Sequence, residues 1–268
     1  MVSRDTNPQS IVVTGSASGM GACLVRRLRA QGANVIGVDR HTADVVADLG
    51  TEGGRDTAVT AVARSFGDTL TGVVTFAGLS GHSAAPGREI VSVDYFGTTR
   101  FLTGLLPHLK RPTAAVVIGS VGAVIGRGVS SALVDACLLD DAELACGIAD
   151  GMGASDTYVS AKLAVARWAR RHAPSPEWIG SGVNLNVISP GMIDTPMVAE
   201  ARRTHRGNSV VDNMNVPAGR AGRPSEVSAV AEFLLGNSSR YLVGSVIVVD
   251  GGLEAAQRPD DWPSARRG

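Results

Sequence analysis

The chain has 268 residues, 44% of them hydrophobic, and its 25 basic and 25 acidic side chains cancel to a formal net charge of zero. That length suits one large domain or two small ones, and the charge balance gives no basic footprint for nucleic acid. No apolar run of about eighteen residues marks a membrane span, the polar start MVSRDTNPQS lacks a signal-peptide core, and Cys23, Cys137 and Cys146 show no metal spacing, reading as reduced thiols of a cytoplasmic protein.

In chain order, IVVTG (11–15) is a β-branched run closed by glycine and predicts a buried strand. GACLVRRLRAQG (21–32) carries apolar residues at helical spacing, and NVIGVD (34–39) predicts the second strand. RDTAVTAVARSF (55–66) predicts a helix, and GVVTFAG (72–78) and AAVVIGS (114–120) predict strands. YVSAKLAVARWARRH (158–172) predicts a helix, GVNLNVISPG (182–191) a strand, PSEVSAVAEFLL (224–235) a helix and GSVIVVDGG (244–252) the last strand. Alternating strands and helices predict an α/β fold: a doubly wound parallel sheet with helices on both faces. No repeat or linker interrupts it, so residues 1–268 read as one domain. The polar stretch 254–268 predicts a loosely held tail, with Trp262 as the residue able to dock.

Glycine makes up 33 of the residues, above the usual share of about 7%. Its clusters fall at the carboxyl ends of strands, where ligands bind in such sheets. TGSASGMG (14–21) joins the first strand to the first helix. Its glycines Gly15, Gly19 and Gly21, with Ser18 and Met20, suit either a plain tight turn or a loop that brings backbone N–H groups and a helix amino terminus to a pyrophosphate. Asp39 closes the second strand. A carboxylate there accepts hydrogen bonds from an adenosine ribose and repels a 2′-phosphate, which favours NAD(H). The neighbouring Arg40 points the other way, because arginine at that place pairs with a 2′-phosphate.

Tyr158 and Lys162 are four residues apart on one predicted helix and share a face. Lys162 is one of two lysines in the chain, the other being Lys110. A free phenol has a pKa of about 10. A nearby ammonium stabilises the phenolate and lowers that value, so the pair can exchange a proton with a hydroxyl or carbonyl oxygen. Ser120, at the end of an earlier strand, reads as a second hydrogen-bonding group for that oxygen, or as a plain turn former.

TGSASGMG, Asp39, FAG (76–78), Ser120, YVSAK (158–162), NVISPG (186–191) with Thr195, and VDGG (249–252) together resemble the short-chain dehydrogenase/reductase family over residues 10–253. The resemblance implies a Rossmann-type domain in which Tyr158 is the general acid/base. Ser120 then orients the reacting oxygen, and Lys162 tunes Tyr158 and holds the nicotinamide ribose. It also implies that Pro190, Gly191, Ile193 and Thr195 border the nicotinamide, that Asp48 and Leu49 bracket adenine, and that Ala77 and Gly78 line the cofactor. No metal is implied.

Two features resemble the bacterial 3α-hydroxysteroid dehydrogenase/carbonyl reductase group and, more distantly, the coniferyl-alcohol dehydrogenases. The interval from Asp39 to Asp48 leaves no room for the usual helix after the second strand. The interval from Ser120 to Tyr158 holds a helical insertion at about 121–156, before the catalytic tyrosine. Two departures stand out. Asp94 replaces the usual asparagine that helps hold a water beside the lysine, adding a negative charge near Lys162 and predicting an altered pH profile. Thr75 and Phe76 replace two asparagines of the usual NNAG, so that turn must rely on other bonds.

The function implied is an NAD(H)-dependent oxidoreductase that interconverts an alcohol with a ketone or aldehyde, with a hydroxysteroid or other bulky hydrophobic or aromatic alcohol as substrate class. A catalytically idle nucleotide-binding regulator is one alternative. An NADPH-dependent ketoacyl-type reductase is another, for which Arg202, Arg203, His205 and Arg206 would be an entrance patch rather than a solvated face of the lid expected at 192–217. The expected assembly is a homo-oligomer, a homodimer before a homotetramer. It would pair through the helix near 224–235 and the strand near 244–250, because the insertion hinders the surface beside Tyr158.

Overall fold

The computed structural model describes residues 9–203 and 215–261. Part of the expected lid, with His205 and Arg206, and the docking expected of Trp262 lie outside the described residues.

Seven parallel strands form one sheet in the order β3-β2-β1-β4-β5-β6-β7. They are β1 Ser10–Thr14, β2 Asn34–Asp39, β3 Val45–Val46, β4 Leu70–Thr75, β5 Leu109–Ile118, β6 Val183–Pro190 and β7 Val246–Val249. The order reverses between β1 and β4, and the crevice above their carboxyl ends is the place such a sheet offers a ligand.

Side chains alternate across each strand, and both faces are covered. Ile11, Val13 and Val74 pack on one side under α1 (Gly19–Ala30) and the helix Pro224–Leu235. Val12, Val73 and Val117 pack on the other side with the buried faces of α2 (Glu52–Phe66) and α4 (Gly97–Leu105). Between these last two helices the chain runs through α3 (Gly87–Val91) and a π-helical turn, Ser92–Phe96, that carries Asp94. Burial on both faces explains why a strand such as β1, SIVVT, reads as a nearly continuous apolar run rather than an alternating one.

The second strand leads to no helix. Residues 40–44 turn directly into β3, a two-residue strand that sequence periodicity did not reveal. The insertion folds as α5 (Gly122–Ile125), α6 (Ser131–Leu138) and α7 (Ala142–Asp150). Its helix starts are written locally: Ser130 Oγ accepts the Leu133 N–H at 3.2 Å and Asp141 Oδ1 accepts the Leu144 N–H at 3.0 Å. The long helix α8 (Ala154–His172) then begins before the expected end of the insertion. Both α5 and α6 pack on α8, and the Ser130 N–H donates to Ser160 Oγ at 2.9 Å.

After β6 come α9 (Pro196–Ala201), α10 (Pro224–Leu235) and a final α11 (Leu253–Gln257). The tail is thus ordered further than its polarity suggested. Leu253 is buried, and the Asp250 carboxylate accepts the Glu254 N–H at 2.6 Å.

Candidate active site

A cleft of about 430 Å³ opens at the switch point. It is lined by Gly15, Ser18, Gly19, Met20 and Gly21 of the first loop, by Asp39, Arg40, Asp48 and Leu49 beyond β2, and by Ala77, Gly78 and Thr195. These twelve were all expected from the sequence.

Gly15 lies where β1 and β4 end, with φ +65°, and a Cβ on it would stand 2.7 Å from the Ala77 nitrogen. Only glycine lets the loop pass so close to the neighbouring strand. The replaced asparagines of the NNAG turn are compensated by Thr14: its carbonyl accepts the Phe76 N–H at 3.2 Å and its Oγ1 accepts the Ala77 N–H at 3.1 Å. Ser18 caps α1 without a side-chain hydrogen bond, leaving its hydroxyl to the cleft. Across the floor, Thr195 opens α9 by accepting the Val198 N–H, and its methyl group lies 3.4 Å from where a Cβ on Gly19 would be.

At the β2 end, Asp39 Oδ2 accepts the Ala17 N–H at 3.0 Å and Oδ1 accepts the His41 N–H at 3.2 Å, tying the first loop to the turn that follows β2. Asp48 Oδ1 accepts the Gly50 N–H at 2.9 Å. Pro190, Gly191 and Ile193 stand outside the cleft lining and form the strand-end loop beside it. Gly191 donates to Val249 O, and Ile193 bridges Gly222.

Gly78 joins the cleft to the polar cluster. A Cβ there would lie 2.8 Å from Asp94 Oδ1 and 3.3 Å from Lys162 Nζ. Lys162 Nζ stands 3.8 Å from Asp94 Oδ1, 3.4 Å from the Ile118 carbonyl it donates to, and 5.8 Å from the centre of the Tyr158 ring. Lys162 and Asp94 are 6% and 0% exposed. Asp94 Oδ1 also accepts the Leu79 N–H at 2.7 Å, while its Oδ2 is buried with no hydrogen-bond partner among the described residues. Ser120 Oγ accepts the Gly122 N–H at 3.1 Å and is hydrogen-bonded to the Tyr158 side chain.

Electrostatics correct one expectation. Burial raises the Tyr158 phenol above its ordinary value, and this outweighs the lowering by the Lys162 charge. The charge of Asp94 raises the phenol further, while the Ser120 hydrogen bond lowers it. Asp94 itself is pushed up to about 6 by burial, against the opposing pull of Lys162 and the Leu79 N–H. Sequence spacing reveals that Tyr158 and Lys162 meet, but not how dry their surroundings are.

A family model described as enoyl-(acyl carrier protein) reductase matches residues 146–254. The chain is 34% identical over 257 residues to the 3-alpha-hydroxysteroid dehydrogenase/carbonyl reductase of Comamonas testosteroni, covering 94% of this chain and 99% of that one. The chain belongs to the short-chain dehydrogenase/reductase family. Within this family it is 31% identical to the coniferyl-alcohol dehydrogenase of a Pseudomonas strain, covering 91% of this chain and 96% of that one. The crystal structure of the 3-alpha-hydroxysteroid dehydrogenase from Pseudomonas sp. B-0831, complexed with NADH, superposes with a TM-score of 0.89 at 39% identity, covering 94% of this chain and 99% of that one. The short-chain dehydrogenase/reductase motifs seen in the sequence thus sit where the fold brings them together. What the sequence did not single out is Glu89, which reaches the same cleft from α3, and Glu200, which reaches it from α9.

Proposed function

We propose that the protein is an NAD(H)-dependent oxidoreductase that interconverts a bulky alcohol and its ketone or aldehyde, with hydroxysteroids or other bulky hydrophobic or aromatic alcohols as the substrate class. The observation that carries this reading is the convergence of Tyr158, Ser120 and Lys162 where a glycine-walled cleft ends at Gly78. The cleft fits a dinucleotide: the first loop leaves no Cβ at Gly15, the α1 amino terminus faces the opening, and Asp39 stands where a ribose would sit. A bound nicotinamide supplies the acceptor or donor of a hydride.

The chain's own residues handle the proton. The Tyr158 phenolate takes it from the alcohol oxygen in oxidation, and the Tyr158 phenol gives it to the carbonyl oxygen in reduction. Ser120 Oγ holds that oxygen in line with the phenol. Lys162 counters the burial that disfavours phenolate, and Asp94 anchors the Leu79 backbone while moderating the lysine's field. The substrate class is supported by the activities named for the Comamonas and Pseudomonas relatives. Incubation with NAD⁺ and a panel of 3α-hydroxysteroids, aryl alcohols and small secondary alcohols tests the reading through NADH absorbance. Turnover is expected with the bulky members. Tight NADH binding with no turnover on any alcohol would mean an idle nucleotide-binding regulator instead.

The proposal extends to the cytoplasm, on the strength of three unpaired cysteines, and to a homodimer. The insertion lies on α8, against the surface beside Tyr158. By contrast, β7 is a sheet edge with Val246 and Val248 at 36% and 40% exposure, and Phe233 on α10 is also exposed. Light scattering at micromolar concentration is expected to give twice the chain mass, and Val248→Arg to give the single mass. An unchanged mass in the variant would move the interface elsewhere.

A further inference from the structure

The cleft carries a cation that is already engaged. Arg40 is the one arginine or lysine among the described residues that line it, and its Nη1 lies 3.2 Å from Glu89 Oε1. Arg40 follows the strand-end Asp39, so its guanidinium is within the neighbourhood where a 2′-phosphate on the adenosine ribose would need a partner. Glu89 comes from the opposite wall, 49 residues along the chain.

Glu89 has a firm base. It sits on α3, which is clamped against the insertion. Gly87 packs so tightly on the Ala149 carbonyl of α7 that a Cβ would overlap it. The Arg88 guanidinium grips the Asp150 carboxylate, with its Nε at 2.9 Å. The carboxylate of Glu89 is therefore presented to Arg40 from a braced wall rather than from a free loop.

We propose that Glu89 is a positioning residue for cofactor choice: it holds the Arg40 guanidinium across the cleft and so withholds it from a 2′-phosphate. The proposal rests on the reading of the cleft as a dinucleotide site. Asp39 and Glu89 then act by different routes. Asp39 repels the phosphate directly, at the strand end. Glu89 acts through Arg40, by occupying the one guanidinium fork that the described residues of the cleft offer a phosphate.

The pair is half-exposed, at 46% and 43%. An ion pair in such surroundings is easily broken when one partner is neutralised, so Glu89→Gln frees Arg40 without rebuilding the wall. Calorimetric titration of NADH and NADPH into the wild type, Glu89→Gln, Arg40→Ala and the double variant tests this. Glu89→Gln is expected to tighten NADPH about tenfold while changing NADH less than about twofold, and the NADPH gain is expected to fall below about threefold once Arg40 is alanine. An equal gain in both backgrounds would show that Glu89 acts only as a repelling charge and would overturn the proposal, as would no gain at all. A wild type that prefers NADPH would overturn the NAD(H) reading along with it. A wild type that prefers NADH but shows no coupling would overturn the Glu89 proposal alone.

Discussion

Two carboxylates of the site, Asp39 in the lining of the cleft and Asp94 buried behind Gly78, stand in opposite surroundings. Asp39 is partly open to solvent, satisfied by two backbone N–H groups, and faces the mouth of the cleft. Asp94 has no exposure, one oxygen without a partner among the described residues, and a lysine 3.8 Å away. A charge beside water is cheap to keep and serves to select what approaches. A charge in a dry pocket is costly, shifts its own titration, and reaches every neighbour that titrates. The open end is thus suited to discrimination, and the buried end to control of proton transfer.

The largest effect is expected at the buried end. Tyr158→Phe removes the hydroxyl proposed to exchange the substrate proton, and turnover is expected to fall about 10²–10⁴-fold with NADH affinity retained. A variant keeping more than about a tenth of the activity would strip Tyr158 of its assigned role.

Asp94→Asn sharpens the contrast next. The negative charge of Asp94 raises the Tyr158 phenol, so its loss lets the phenol ionise at lower pH. The rise of oxidation rate with pH is expected to move to lower pH in the Asn variant, and a titration near Asp94's value of about 6 is expected to vanish from the profile. The same residue links stability to pH. Its folded value is raised from 3.8 to about 6. The stabilisation it brings is therefore complete below the unfolded value and is lost as pH rises through the folded one, at a cost on the order of 3 kcal/mol by neutral pH. The melting temperature of Asp94→Asn relative to wild type is expected to climb between about pH 4 and about pH 7 and to stay level above it. A constant difference, or a pH profile that stays put, would make Asp94 a plain spacer.

At the open end the effect is smaller and shows only as a ratio. Asp39→Ala is expected to narrow the preference for NADH over NADPH by about tenfold, chiefly by strengthening NADPH, because a fixed carboxylate near a phosphate is the unfavourable contact removed. An unchanged ratio would place the whole burden of selection on Arg40 and its partner.

What the sequence makes legible follows from distance along the chain. β2 and α10 were readable to the residue, because apolar periodicity is local. Tyr158 and Lys162 were readable because one helix carries both, and Asp39 because it ends a strand. The Arg40–Glu89 pair was not, since its partners come from different walls of the cleft. The raised Tyr158 phenol was not either, because dryness is made by the whole packing around it. The brief order of Leu253–Gln257 escaped as well: it opens a mostly polar tail, and what fixes it is one buried leucine and the Asp250 cap.

Gly87 bears on how such a fold is inherited. The absence of a side chain there lets α7 seat directly on α3, and the next two residues reach to the insertion on one side and to the cleft on the other. Excising the block from Gly126 to Met152 would take away the surface that Gly87 matches, strand Arg88 without its carboxylate, and leave Glu89 on a five-residue helix too short to hold itself in water. The insertion and the wall of the cleft that carries Glu89 are therefore one packed unit. A relative that trades away the first is expected to have recast the second, and a graft of the insertion into a shorter relative is expected to seat only where residue 87 is also glycine.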